Sequence, residues 1–109
     1  MDIEFFKLEI FVPESHFEAV RQALRKADAG HIGNYDSCLS VSRVTGLWRP
    51  LEGTHPYLGE VGELCSAEEL KVEVTVRASA LQETLAAVRA AHPYEEPVIN
   101  AIALYATGL

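Results

Sequence analysis

Cysteine is scarce in this chain: 109 residues contain two, Cys38 and Cys65. They are too few for a disulfide framework and too far apart for a Cys-x-x-Cys redox motif, so buried, reduced, inert thiols are expected. Basic residues are also few, nine Lys and Arg against sixteen Asp and Glu, a net charge of −7. The nine are scattered, whereas a phosphate-tracking surface needs them clustered, so nucleic acid is not an expected partner. No apolar run approaches the ~20 residues a membrane helix requires, so no membrane association is expected. The opening Met1-Asp2-Ile3-Glu4-Phe5-Phe6 lacks the basic start and small-residue cleavage site of a signal peptide, so the reading is cytoplasmic. There is no Gly-x-Ser-x-Gly elbow, no Gly-x-Gly-x-x-Gly and no Walker sequence, which leaves nucleophilic hydrolysis and phosphate-loop chemistry without a motif.

What remains is an ordinary globular balance, 49% hydrophobic and 23% charged, at a length that suits one domain spanning residues 1–109. Residues 4–12 alternate, with Phe6, Leu8, Ile10 and Val12 on one side, the period of a strand ended by Pro13. Ser15 and Glu18 have capping-box spacing and open a helix with Phe17, Val20, Leu24 and Ala27 on one face and Gly30 as its cap. A second strand is expected from Cys38 to Trp48, with Gly46 as a bulge or bend. Residues 49–62 read as a turn-rich connection. Leu70, Val72, Val74 and Val76 alternate with charged and polar residues up to Arg77, giving a third strand. Ser79 and Gln82 repeat the capping spacing before a helix with Leu81, Leu85 and Val88 as its stripe, stopped by His92-Pro93. Val98 to Ala106 is the fourth strand. The order strand-helix-strand, twice, predicts a ferredoxin-like split βαβ fold of the α+β class. Its four-stranded antiparallel sheet carries both helices on one face, with strands one and three central.

Two segments after the helices concentrate chemistry: Gly33-Asn34-Tyr35-Asp36 and His92-Pro93-Tyr94-Glu95-Glu96-Pro97. Candidate ligand-binding residues are Asn34, Tyr35, Asp36, Arg49, His92, Tyr94, Glu95 and Glu96. Trp48 with Arg49 and Pro50 reads as an exposed anchor or a stacked cation-aromatic pair, against the commoner reading of a Trp packed on its own domain. His92 and Glu95, joined by His31 and His55 if loops converge, have the residue types of a divalent-metal site. The competing reading is plain: Pro93 stops a helix, Tyr94 packs and the glutamates face water. No residue is assigned a catalytic role on spacing alone.

The set Gly33-Asn34-Tyr35-Asp36, Trp48-Arg49-Pro50, Gly53, Pro56, Gly59, the Glu69–Glu73 strand and His92-Pro93-Tyr94-Glu95-Glu96-Pro97 resembles the small domain inserted in Nif-three-like proteins, also called YqfO or NGG-interacting-factor-like. The resemblance covers nearly the whole chain and implies a PII-like, CutA-like ferredoxin fold. Full-length members hold two metal ions with ligands in flanking halves that these 109 residues do not contain, so their hydrolase-like activity does not carry over.

The resemblance and the residues together lead to a non-enzymatic, oligomeric module that binds a small ligand, a divalent metal or a protein partner. The alternative is a small metal-dependent, hydrolase-like enzyme using His92, Glu95 and Asp36. A homotrimer is expected, because Phe5, Phe11, Ile99 and Tyr105 are read onto the sheet face away from the helices, and CutA supplies the number. The two chemistry-bearing segments are expected to share one cleft, within a subunit or across a boundary.

Overall fold

The computed structural model describes residues 2–109. Its strands are β1 Phe5–Val12, β2 Ser40–Trp48, β3 Cys65–Arg77 and β4 Ile99–Leu104, and its helices are α1 Phe17–Lys26 and α2 Leu81–Ala91. All three strand pairings are antiparallel, in the order β2-β3-β1-β4. This is the ferredoxin-like arrangement read from the sequence, with β1 and β3 in the middle.

The period-2 pattern sorts the two faces. Leu8, Ile10 and Val12 of β1 and Val72, Val74 and Val76 of β3 are buried, and Val20 and Leu24 of α1 and Val88 of α2 pack into the same core. Each such side chain contributes about 1.5–3 kcal/mol by leaving water. The opposite face is charged in its middle. Glu9 stands directly across from Glu73, a like-charge pair that costs stability. The diagonal partners offset it: Lys7 pairs with Glu73, and Lys71 reaches Glu9 at 3.3 Å.

Several local expectations are corrected. Neither capping box forms. Each helix is entered through a 3-10 turn, Glu14–His16 or Ala78–Ala80, with no side-chain cap. Ser15 Oγ bonds His16 Nδ1 instead, and Glu18 takes the Arg21 guanidinium. Gly30 does not cap α1. Asp28 occupies the left-handed position with φ 63°, and Asp28 N–H and Ala29 N–H bond the Arg25 and Leu24 carbonyls at 3.0 and 2.9 Å, the paired bonds of a Schellman end. Gly30, with φ 75°, lets the chain pass against β3. Its N–H donates to Thr75 O, and a Cβ there would meet Cys38 O at 2.5 Å.

Gly46 is neither bulge nor bend, since the β2–β3 register runs unbroken from Ser40↔Glu73 to Trp48↔Cys65. β3 starts at Cys65, five residues before the alternating run, because pairing with β2 supplies there what propensity does not. Ile99 is also reassigned: it pairs with Ile10 and packs on the helix-side core. Tyr105 lies beyond β4 and is 81% exposed.

Candidate functional site

The two chemistry-bearing segments lie at opposite ends of the sheet within one chain. Antiparallel β1 and β3 each feed a helix that runs back along its strand, so the two helix C-termini point to opposite ends. The first segment follows Gly30, bonded to Thr75, which faces Lys7. The second is anchored where His92 meets Phe11. Lys7 and Phe11 are four strand residues apart, about 13 Å. The expectation of one shared cleft within a subunit is thereby corrected.

The first segment is a miniature hairpin. Ile32 and Tyr35 exchange backbone bonds of 2.8 and 2.9 Å around Gly33-Asn34. Gly33, at φ 58°, takes the first central position, where glycine suits a two-residue turn. Asn34, Tyr35 and Asp36 are exposed. His31 is held by Asp28 Oδ1 at 2.8 Å and by Gly33 O at 3.0 Å, and Asp28 is the main cause raising its pKa.

The second segment builds the end of a cleft. His92 is 7% exposed and fully engaged: Nε2 donates to Phe11 O at 2.6 Å and Nδ1 accepts Tyr94 N–H at 3.2 Å. Burial is the main cause lowering its pKa, so the ring is held neutral with its proton on Nε2. It has no lone pair left for a metal or a ligand, which corrects its expected availability. Tyr94 is the hub of an aromatic group, with ring centroids 4.9 Å from His92, 5.7 Å from Trp48 and 6.0 Å from Tyr57. Its hydroxyl is buried without a hydrogen-bond partner among the described residues. Burial, then the adjacent Glu69 carboxylate, push the phenol's pKa well above its ordinary range. Glu95 Oε1 accepts His55 N–H at 2.7 Å, tying the 49–64 loop to this segment.

The cleft, about 440 Å³, lies on the sheet face away from the helices. Phe11, Val44 and Glu69 form its floor, Trp48 and Tyr94 its walls, and Pro56, Tyr57 and Leu58 of the loop arch over it, with Glu95, Glu96 and Val98 at one side. Trp48 Nε1 donates to Leu58 O at 3.3 Å and fixes the loop to the wall. Glu69 is 7% exposed, and its carboxylate lies over the Cα of Gly46, where a Cβ would collide with it. No Lys or Arg lines the cleft, and no cation pairs with Glu69 among the described residues.

Of the sequence candidates, the structure brings together Tyr94, Glu95 and Glu96. It leaves Asn34, Tyr35, Asp36 and His31 at the far end, and exposed Arg49 and His55 outside the lining. Among the described residues no three His, Cys, Asp or Glu gather as a metal set. Glu69, Gly46 and Tyr57 were missed. The available signals were a second acidic residue before the buried run of β3 and a glycine inside a strand.

A segment of the protein named "GTP cyclohydrolase 1 type 2 homolog" of Halalkalibacterium halodurans is 46% identical over 95 residues, 87% of this chain and 26% of that protein. The Bacillus cereus protein related to NIF3 superposes with a TM-score of 0.82 at 39% identity, over 95% of this chain and 26% of that one. This chain corresponds to one domain of the Nif-three-like proteins. It spans about a quarter of the length of the relatives it matches. No family model matches it. The periplasmic divalent cation tolerance protein CutA of Archaeoglobus fulgidus shares the fold at a TM-score of 0.69 and 19% identity, covering 94% of this chain and 86% of that one. No helix among the described residues is long and apolar enough to cross a membrane.

Proposed function

We propose that this Nif-three-like domain is a non-enzymatic, oligomeric binding module of PII/CutA-like type, working in the cytoplasm, with the aromatic cleft as its ligand site. The observation that carries the reading is a pocket of ligand-binding size with aromatic walls and a buried carboxylate in its floor. The loop beside it is tied to the cleft by two side-chain hydrogen bonds, from Trp48 Nε1 to Leu58 O and from His55 N–H to Glu95, and by Tyr57 packing on Tyr94. Its residues are thereby positioned as part of the site. Self-association is supported by the sheet itself. β2 and β4 are edges, and Ile102 on β4, facing Lys7, is 43% exposed on the side away from the core. Three copies is the number favoured.

The alternative, a metal-dependent hydrolase using His92, Glu95 and Asp36, lacks comparable support, because His92 is consumed by the fold and Asp36 sits at the other end of the sheet. The test is a panel of nucleotides, organic amines, amino acids and divalent cations, followed by Trp48 fluorescence and by chemical analysis of each compound afterwards. Saturable binding with every compound recovered intact is the expected result. Turnover of any of them would overturn the non-enzymatic reading.

A further inference from the structure

We infer that the cleft takes a small organic cation, one with a planar amidinium or guanidinium head and an apolar body. The inference rests on the cleft being a ligand site and adds the chemistry of the ligand. Glu69 is the first observation. The residue is only 7% exposed, its carboxylate lies in the lining of the cleft, and no cation is paired to it among the described residues. An incoming positive charge would therefore meet a poorly hydrated carboxylate that it could pair with. Its seat is built for it: β2 offers a glycine at the one place where any side chain would displace the carboxylate.

The second observation is independent. Trp48, Tyr57 and Tyr94 line the same space with rings packed on one another, and aromatic faces attract cations through the ring quadrupole. Glu95 and Glu96 add negative charge at the side, and no Lys or Arg opposes it, so an anion is repelled. A flat amidinium matches the two carboxylate oxygens with two parallel N–H bonds, which a round ammonium cannot do. The remaining volume, bounded by Phe11, Val44, Leu58 and Val98, suits an apolar body.

Benzamidine is the probe and neutral benzamide its isostere, read by the fluorescence of Trp48, the only tryptophan. The intact protein is expected to bind benzamidine saturably and at least tenfold tighter than benzamide. Glu69→Gln should abolish that ratio. Gly46→Ala, which keeps the charge but moves the carboxylate, should weaken benzamidine at least fivefold while leaving benzamide little changed. Failure to bind benzamidine, equal affinity for the pair, or an unchanged ratio in Glu69→Gln overturns the inference. If Glu69→Gln does not fold, the wild-type ratio and Gly46→Ala still decide. Saturable binding of neutral or anionic compounds alone would overturn the cation while leaving the cleft a ligand site. A cleft empty to every compound removes both readings.

Discussion

His92 Nε2 donates to the Phe11 carbonyl at 2.6 Å, joining the end of α2 to the end of β1 across 81 residues of sequence. His92→Ala removes this bond and the one from Tyr94 N–H, and leaves a part-buried carbonyl without its donor. A loss of about 1–3 kcal/mol is expected in urea denaturation. A loss under about 0.5 kcal/mol, the range of neutral surface substitutions, would mean that water replaces the ring without cost.

The same histidine sets a pH dependence. Its folded pKa lies below the ordinary value of 6.5, so below that value the unfolded chain binds the extra proton more readily. Its contribution to stability is present above about pH 6.5 and falls as pH drops toward the folded pKa. His31 has the opposite sign. Asp28 raises its pKa, so its small contribution is present below 6.5 and fades as pH rises through the raised value. NMR titration should find His92 the more acidic of the two, and the reverse order would contradict burial as the cause that sets the His92 pKa.

Tyr94 offers a test in the unusual direction. Among the described residues its hydroxyl is buried without a hydrogen-bond partner at bonding distance, with the Glu69 carboxylate nearby. Tyr94→Phe therefore removes a buried polar group and keeps the ring contacts with Trp48 and Tyr57. Stability should be unchanged or higher by up to about 1 kcal/mol. A clear loss would show that the hydroxyl has an acceptor.

Gly30→Ala should destabilise by about 1–3 kcal/mol, because φ 75° is unfavourable for a side chain and the new Cβ would press on the Cys38 carbonyl. Gly33→Ala provides the comparison. Its φ of 58° is also positive, but nothing lies within 4 Å of a Cβ there, so its loss should be smaller. Equal losses would place the whole effect in the backbone and none in the close approach.

Light scattering at micromolar concentration should return three times the 12.0 kDa chain mass. Placing a charge at Ile102, exposed on the edge strand (Ile102→Glu), should lower that mass. A monomeric wild-type protein would remove the oligomeric half of the proposal.

The fold was legible because β1, β3 and the helix stripes each carry a clean period, and two repeats of strand-helix-strand leave few topologies. Helix entry was misread at Ser15 and Ser79 because capping-box spacing is a local signal, and the 3-10 turn after Pro13 or Arg77 took its place. The site was half legible. Tyr94, Glu95 and Glu96 stand out in a turn-rich segment, whereas Glu69 is one of sixteen acidic residues. Only the register, which sets it diagonal to Gly46 and under Tyr94, distinguishes it. The expectation of a shared cleft within one subunit failed because the two helix ends were treated as equivalent. Residue patterns carry no direction, and antiparallel neighbours reverse it.

The loop over the cleft springs from a paired neck, Trp48 facing Cys65, and Gly62 N–H closes on Pro50 O at 2.8 Å. Its two ends are therefore already side by side, and doubling its length would cost only ~0.6 kcal/mol of closure entropy. The core strands would not register the change. Engineering of this domain can thus treat floor and roof as separate parts, keeping Glu69 and Gly46 fixed while the loop is lengthened, trimmed or exchanged to admit bodies of different size.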